Sequence, residues 1–215
     1  MTSKEVRARI EKTGIVAAVR VYSADDAIFA AEAIVAGGIP VVEITLTVPQ
    51  ATQVIALLLK RTPHIVVGAG GVTDTALARQ CLDAGAQFLT SDGLRPAVIE
   101  FAVKQDVTVF AGALTPTEVI TAWEAHSDFV KVVPCAQIGG EIYIGSLHRM
   151  FPHIPLIAAG GVSSKNASKF IFAGATALGI GRELLPPEAL RLRQAGRISN
   201  LARRFLSYVK SGREH

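Results

Sequence analysis

Two ionisable residues stand in segments whose other residues are almost all apolar. Lys131 lies in the run FVKVVP, and Glu43 lies in the run VVEIT. If both runs are strands, alternation puts Lys131 on one face with Phe129 and Val133. By the same rule Glu43 shares a face with Thr45. An amine shielded from water is more often neutral and can attack a ketone, and a nearby carboxylate can shuttle the protons, so the pair predicts Schiff-base chemistry.

Simpler interpretations fit the same residues. A lysine near a strand end can carry its charged head out to solvent. Glu43 can be one half of a buried ion pair with Lys131 or with Arg20. The sequence alone leaves these alternatives open.

Arg20 ends the run AAVR and would lie at the rim where parallel strands finish. A guanidinium can hold a carboxylate through two parallel hydrogen bonds, so Arg20 is a candidate for binding an acid substrate. An ordinary surface arginine would look the same.

Two glycine-rich turns are candidates for a phosphate site. Gly160-Gly161 follows one predicted strand, and Gly181 precedes Arg182 after the next. Backbone amides in such turns can hold phosphate, and Arg182 would add positive charge. The run GAGG at 68–71 lacks the spacing of a dinucleotide motif and is interpreted as a close-packed rim of the pocket.

The elements that must position these residues alternate regularly along the chain. Short β-branched runs are separated by helical stretches rich in alanine and leucine, with glycine, proline, aspartate or threonine at the junctions. The predicted strands are Ile15–Arg20, Val41–Thr45, Ile65–Gly68, Phe88–Ser91, Thr108–Ala111, Phe129–Val133, Leu156–Ala159 and Ala177–Ile180. The predicted helices are Ala24–Ala36, Pro49–Lys60, Asp74–Ala84, Arg95–Lys104, Pro116–Ala125, Ile142–Met150, Ser164–Ala173 and Arg197–Lys210.

Eight strands in alternation with helices predict an α/β protein with a (β/α)8 TIM barrel. Residues 3–12 are expected to form an extra helix that closes the bottom of the barrel. All 215 residues fit one barrel domain, 1–215, and the last five, SGREH, are expected to be a loose tail.

Composition disfavours several classes of protein. The formal charge is +4, but from the start of the chain to Arg182 the basic residues are scattered and not clustered with aromatic residues. We therefore expect no nucleic-acid partner. No apolar run is long enough for a membrane span and no signal peptide is apparent, which predicts no membrane association. Cys81 and Cys135 form no CxxC pair, so a reducing cytoplasm is expected. The histidines at 64, 126, 148, 153 and 215 show no metal-ligand spacing, and we expect no metal or other cofactor.

In their order and spacing, these motifs resemble those of 2-keto-3-deoxy-6-phosphogluconate and 4-hydroxy-2-oxoglutarate aldolases. The likeness covers about residues 5–205 and rests on VEITLT with Glu43, GAG at 68–70, VKVVP with Lys131, and the glycine pair after strand seven. It implies a metal-independent class I aldolase on a (β/α)8 barrel, usually a homotrimer, that acts on a small 2-keto acid, here expected to be phosphorylated.

The resemblance also implies roles for particular residues. Lys131 would be the Schiff-base lysine and Glu43 the proton-shuttling carboxylate. Some members hold the substrate carboxylate with an arginine where this chain has Thr47, and others with an arginine ending strand one, which Arg20 matches. The full set of substrate-binding candidates is Arg20, Thr47, Gly70, Gly71, Ser91, Gly160, Gly161, Gly181 and Arg182.

Four positions depart from the usual family sequence. Gly71 replaces a threonine, Asp92 replaces the proline of an SPG-like segment, Val133 replaces an aromatic residue, and Arg182 replaces a serine. The reaction expected first is cleavage of 2-keto-3-deoxy-6-phosphogluconate to pyruvate and glyceraldehyde 3-phosphate. Two alternatives stay open: an unphosphorylated 2-keto-4-hydroxy acid such as 4-hydroxy-2-oxoglutarate as substrate, or a barrel that binds anions without catalysis.

Overall fold

Eight parallel strands close into a barrel in the computed structural model, which describes residues 1–62 and 64–214. Each strand pairs with the next along the chain, and the last pairs with the first. The strands are β1 (Ile15–Val19), β2 (Val41–Thr45), β3 (Val66–Gly70), β4 (Phe88–Thr90), β5 (Thr108–Ala113), β6 (Phe129–Val132), β7 (Leu156–Ala159) and β8 (Ala175–Ile180). The predicted (β/α)8 barrel is confirmed.

Helices surround the barrel, and their starts show why they form where they do. Thr115 and Glu118 make a reciprocal capping box ahead of one helix, and Ser23 caps another through the amide of Asp26. The helices are α1 (Ser3–Thr13), α2 (Ala24–Ala36), α3 (Ala51–Arg61), α4 (Thr75–Asp83), α5 (Pro96–Lys104), α6 (Pro116–Glu124), α7 (Gly140–Met150), α8 (Ala167–Phe172), α9 (Pro187–Arg191) and α10 (Ala195–Arg213). None among the described residues combines the length and apolar character needed to cross a bilayer.

The predicted extra helix at the N-terminus is present as α1, and it closes the bottom of the barrel. Val6 and Ile10 of α1 reach up against the first inward-facing residues of the strands. We call this set the floor layer: Val6, Ile10, Val16, Val41, Val66, Phe88, Phe110, Phe129, Ile157 and Ala177. The ring of Phe110 stacks on that of Phe88 at 4.9 Å and meets that of Phe129 edge-on at 5.2 Å.

Several element boundaries differ from the sequence-based expectation. β3 continues through the glycines to Gly70, because Glu43 and Thr45 of β2 pair with Gly68 and Gly70. The short helix α9 and a 3-10 turn at Ala136–Ile138 were not predicted. Their few residues give too little periodicity to stand out from a loop.

The loose C-terminal tail was a wrong prediction for Ser211 to Arg213, which continue α10. Gly212 is buried, and a side chain there would come within 2.5 Å of the Ser168 carbonyl oxygen. Arg213 donates hydrogen bonds to the carbonyl oxygens of Glu11 and Lys12, which ties the end of the chain to α1. His215 lies outside the described residues.

Candidate active site

Lys131 and Glu43 both lie inside the barrel, one layer above the floor layer. Their side chains are 7% and 6% exposed, respectively. Lys131 stands on β6 two residues after Phe129, and Glu43 stands on β2 two residues after Val41, so the alternation expected from sequence holds. The Lys131 head does not reach out to bulk solvent, and Glu43 is not turned toward the outer helices.

The hydroxyl of Thr90 connects the amine to the carboxylate. Lys131 Nζ donates to Thr90 Oγ1 at 3.0 Å, and Thr90 Oγ1 donates to Glu43 Oε2 at 3.0 Å. The direct distance from Lys131 Nζ to Glu43 Oε2 is 3.8 Å. We call Glu43, Thr90 and Lys131 the polar layer. Since each hydrogen bond joins neighbouring groups, a proton has a continuous path between the amine and the carboxylate.

Sequence reasoning did not single out Thr90, although a signal was present. Thr90 follows Phe88 by two residues in β4, so it shares the inward face with a residue of the floor layer. A buried hydroxyl on that face needs a hydrogen-bond partner, and the polar layer supplies two.

A second carboxylate, that of Asp92, also reaches the amine from the loop after β4. Asp92 Oδ1 lies 2.7 Å from Lys131 Nζ, and Asp92 Oδ2 lies 3.7 Å from Arg20 Nη2. The Asp92 side chain is 51% exposed, in contrast to the buried polar layer. The sequence identified Asp92 only as a replacement for a usual proline.

The electrostatics at Asp92 reflect two opposing effects. Partial burial disfavours the carboxylate and by itself would raise the pKa of Asp92. Attraction and hydrogen bonding from Lys131, joined by the charge of Arg20, outweigh burial and hold the pKa of Asp92 below its ordinary range. Asp92 is therefore ionised at neutral pH.

Gly112 explains how the loop carrying Asp92 comes so close to Lys131. Gly112 of β5 pairs with Lys131 in the strand register. A Cβ atom at this position would collide with the backbone of Asp92 and Gly93. The missing side chain therefore lets the loop after β4 lie across the end of β5.

Arg20 and Thr47 lie at the carboxyl ends of β1 and β2. The Arg20 side chain is 64% exposed, and its contact with Asp92 directs it toward the mouth of the barrel. Thr47 is also exposed, and its hydroxyl lies 2.9 Å from that of Thr45, which donates to the Val19 carbonyl oxygen. Arg20 and Thr47 thus add a cation and a hydroxyl to the carboxyl-end rim of the barrel.

Gly70, Gly71 and Ser91 differ in what surrounds them. Gly70 is buried, and a Cβ there would collide with the Glu43 carboxyl group, so this glycine makes room for the carboxylate. Gly71 has φ +77° and open space where a side chain would stand. The Ser91 hydroxyl accepts a hydrogen bond from the Gly112 amide at 3.4 Å, a contact that holds the loop rather than joining the polar layer.

The glycine pair after β7 packs against the segment that follows β6. Gly160 and Gly161 have φ +78° and +83°, and a Cβ on Gly160 would come within 2.7 Å of Pro134. Asn166 donates from Nδ2 to the Gly161 carbonyl oxygen at 3.1 Å and so fixes the turn. After β8, Gly181 is half-buried and Arg182 is exposed. Both turns thus stand at the carboxyl end of the barrel, as expected from sequence.

The other candidate chemical groups lie outside this arrangement. Cys81 and Cys135 are buried free thiols, and burial raises the pKa of Cys81 to about 11 and that of Cys135 to about 12. Both thiols therefore stay protonated at neutral pH. Among the described residues, no cluster of three or more histidine, cysteine, aspartate or glutamate side chains could hold a metal ion.

Comparison with known proteins gives a consistent result over most of the chain. Residues 6–201 match the family model described as KDPG and KHG aldolase. The chain is 30% identical over 205 residues to the 2-dehydro-3-deoxy-6-phosphogalactonate aldolase of Escherichia coli K12, covering 94% of this chain and 96% of that protein.

Two solved structures extend the likeness to the fold. The KDPG aldolase of Legionella pneumophila, with pyruvate captured as a covalent carbinolamine, superposes with a TM-score of 0.84 at 26% identity, covering 92% of this chain and 96% of that one. The 2-keto-3-deoxy-6-phosphogluconate aldolase of Zymomonas mobilis ZM4 with 3-phosphoglycerate gives 0.85 at 27% identity, covering 94% and 95%.

Proposed function

The chain belongs to the KDPG and KHG aldolase family, and from that premise we propose that it cleaves 2-keto-3-deoxy-6-phosphogluconate to pyruvate and glyceraldehyde 3-phosphate through a Schiff base on Lys131. One observation carries the assignment. The buried Lys131 amine is linked through the Thr90 hydroxyl to the Glu43 carboxylate, inside a barrel of aldolase type.

The first half of the reaction joins the substrate to the enzyme. Lys131 Nζ attacks the keto carbon C2 to give a carbinolamine, and loss of water gives an iminium ion. Glu43 supplies the proton with which the C2 oxygen departs as water, and Thr90 relays protons between the carboxylate and the amine. The carbinolamine with pyruvate in the Legionella protein supports this route.

The second half breaks the carbon-carbon bond. Glu43 takes the proton of the C4 hydroxyl, the C3-C4 electron pair moves into the iminium, and the aldehyde leaves. The proton that Glu43 took from the C4 hydroxyl then goes to C3 of the remaining enamine, which becomes the iminium of pyruvate. Water then adds to C2 of this iminium, and breakage of the C2–Nζ bond frees pyruvate and the Lys131 amine.

Substrate binding is assigned to the rim residues. Arg20 holds the carboxylate, with Thr47 beside it on the next strand. Gly70, Gly71 and Ser91 border the keto-acid end of the pocket. The amides of Gly160, Gly161 and Gly181 hold the terminal phosphate and Arg182 adds charge, a role supported by the placement of both turns at the carboxyl end and by the phosphorylated ligand of the Zymomonas structure.

Reductive trapping tests this proposal directly. Incubation with pyruvate and borohydride should fix one pyruvate on Lys131, which peptide mass spectrometry identifies. The matched control is Lys104, an exposed lysine on α5 that is paired with Glu100 and should stay unmodified. Absence of label on Lys131 at saturating pyruvate would refute the mechanism.

A second substrate, 4-hydroxy-2-oxoglutarate or a related unphosphorylated acid, is supported by the breadth of the family description, which names KHG aldolase beside KDPG aldolase. Arg182, where the family usually has serine, is exposed and favours an anionic substrate end of either kind. Measuring turnover of substrates with and without the terminal phosphate decides between them. Preference for the phosphorylated acid supports the leading proposal.

We also propose that the protein works as a homotrimer in the cytoplasm. The exposed apolar side chains of Ile142 on α7 and Phe172 on α8, 76% and 66% exposed, favour cover by another copy. Light scattering on the eluting protein would measure the assembly mass, and a monomer would contradict the trimer. Cell fractionation would test the location.

A further inference from the structure

Asp92 occupies a position that the proposed reaction needs for another group. Its two carboxylate oxygens face the two cations of the site, with Oδ1 at 2.7 Å from Lys131 Nζ and Oδ2 at 3.7 Å from Arg20 Nη2. Asp92 thus bridges the amine proposed to attack the ketone and the guanidinium proposed to hold the substrate.

The substrate's own chemistry creates a conflict at this position. In a 2-keto acid the carboxylate is bonded directly to the keto carbon. When that carbon reaches Lys131 Nζ, the substrate carboxylate must enter the same few ångströms that the Asp92 carboxylate fills. Two carboxylates so close repel each other, so they do not share the site in ionised form.

The surroundings of Asp92 allow it to leave. Its side chain is half exposed, whereas those of Lys131 and Glu43 are buried. It follows a strand of only three residues and precedes Gly93, an exposed glycine with open space where a side chain would stand. Water is therefore available to hydrate the carboxylate once it is displaced.

We propose that Asp92 is a specificity-determining residue: a resident carboxylate that pairs with Lys131 and Arg20 in the empty site and is displaced by the carboxylate of the incoming keto acid. The inference rests on the proposed function. When Asp92 is displaced, the carboxylate of a keto acid takes its place beside Arg20, whereas a neutral ketone has no carboxylate to do so. Asp92 therefore sets the concentration of keto acid at which the site fills.

The test compares two ketones that differ in the carboxylate. Trapping on Lys131 with cyanoborohydride is measured against the concentration of pyruvate and of hydroxyacetone, for the wild type and for Asp92→Asn. The variant keeps the shape and removes the charge. The pyruvate concentration that gives half-saturation should fall about two- to fivefold, the range for a partly exposed ion pair, while that of hydroxyacetone changes less. The limiting trapping rate should stay within about twofold.

The control is Asp83→Asn, which removes the same charge from an exposed position at the end of α4 and should leave both ketones unaffected. Asp92→Ala serves as a second variant and should shift pyruvate in the same direction if the asparagine variant folds poorly.

The outcomes separate this inference from the proposed function. The role of Asp92 alone is overturned if Lys131 is labelled in the wild type but Asp92→Asn behaves otherwise than expected. Such results are an equal gain in apparent affinity for both ketones, no gain for either, or a large loss of the limiting trapping rate. No label in either protein at saturating pyruvate overturns both.

Discussion

On β2, β4 and β6 the polar layer follows the floor layer on the same face, two residues further along each strand, or about 6.6 Å. Phe129 precedes Lys131 on β6, and Phe88 precedes Thr90 on β4. Below, the floor layer consists of apolar side chains only. Above, three polar side chains are held together by hydrogen bonds.

This difference separates stability from chemistry within one core. Apolar burial and close packing in the floor layer stabilise the barrel and place β2, β4 and β6 relative to one another. The polar layer uses that fixed frame to hold an amine, a hydroxyl and a carboxylate within hydrogen-bonding distance. Changes in the floor should therefore alter folding stability, and changes in the polar layer should alter turnover.

The largest expected effect is on turnover, from Lys131→Met. This change removes the only atom proposed to form a covalent bond to the substrate. We therefore expect kcat/KM to fall by at least about 10³-fold and the pyruvate label at this position to disappear. Steady-state assay and peptide mass spectrometry measure both. Lys104→Met, in an exposed ion pair, should keep full activity. Wild-type turnover in Lys131→Met would remove the polar layer from the chemistry.

Two residues lower on β6, Phe129→Ala should have the opposite profile. Phe129 is fully buried and packs edge-on against Phe110, so its truncation leaves a cavity and should cost about 3–5 kcal/mol of unfolding free energy. Urea denaturation measures this cost. The kcat of the protein that remains folded should stay within about twofold, and a large loss of kcat at unchanged stability would contradict the separation.

Smaller effects on turnover and on stability are expected from removing one hydroxyl in the polar layer and one at the bottom of the barrel. Thr90→Val keeps the shape but cuts the link between Lys131 and Glu43, so kcat should fall about tenfold to a hundredfold. Its counterpart is Thr108→Val at the bottom of β5, where the buried Thr108 hydroxyl donates to the Ser3 carbonyl oxygen at 3.1 Å.

Thr108→Val should lower the unfolding free energy by about 1 kcal/mol through weaker docking of α1, with kcat unchanged. Parallel kinetic and denaturation measurements on the two valine variants check both expectations. If both variants lose stability alone, Thr90 has no part in proton transfer.

The sequence predicts which side chains share a strand face better than it predicts the contacts between strands. Alternation along each strand puts Lys131 on one face with Phe129 and Glu43 on one face with Thr45, because that pattern needs only the strand period. The links among the polar groups depend on how the alternate strands β2, β4 and β6 bring side chains together inside the barrel, which the pattern of a single strand does not show. The position of Asp92 depends in addition on Gly112, a residue on another strand whose missing side chain admits the loop.

The smallest expected effect is a pH dependence of opposite sign at the two ends of the barrel. At the top, Asp92 has a lowered pKa, because Lys131 and Arg20 outweigh its burial. At the bottom, burial raises the pKa of Asp128, and the hydrogen bond from the Val109 amide and the charge of Arg7 only partly offset it. Relative to the unfolded chain, the folded state thus favours the ionised form of Asp92 and the protonated form of Asp128.

The sign of each contribution follows from linkage. Asp92 stabilises the fold above its ordinary pKa near 3.9, and this contribution is lost as pH falls through the lower folded value. The stability linked to protonated Asp128 is present below the ordinary pKa and is lost as pH rises through the raised folded value. Urea denaturation of the wild type, Asp92→Asn and Asp128→Asn across the acidic range isolates each difference. The advantage of wild type over Asp92→Asn should shrink toward low pH while that over Asp128→Asn grows. Each change should be less than about 1 kcal/mol, because solvent screens Asp92 and because the Val109 amide and Arg7 oppose the burial of Asp128. If the advantage over Asp92→Asn grows toward low pH, the cations at the mouth of the barrel do not govern Asp92. If the advantage over Asp128→Asn shrinks, burial does not govern Asp128.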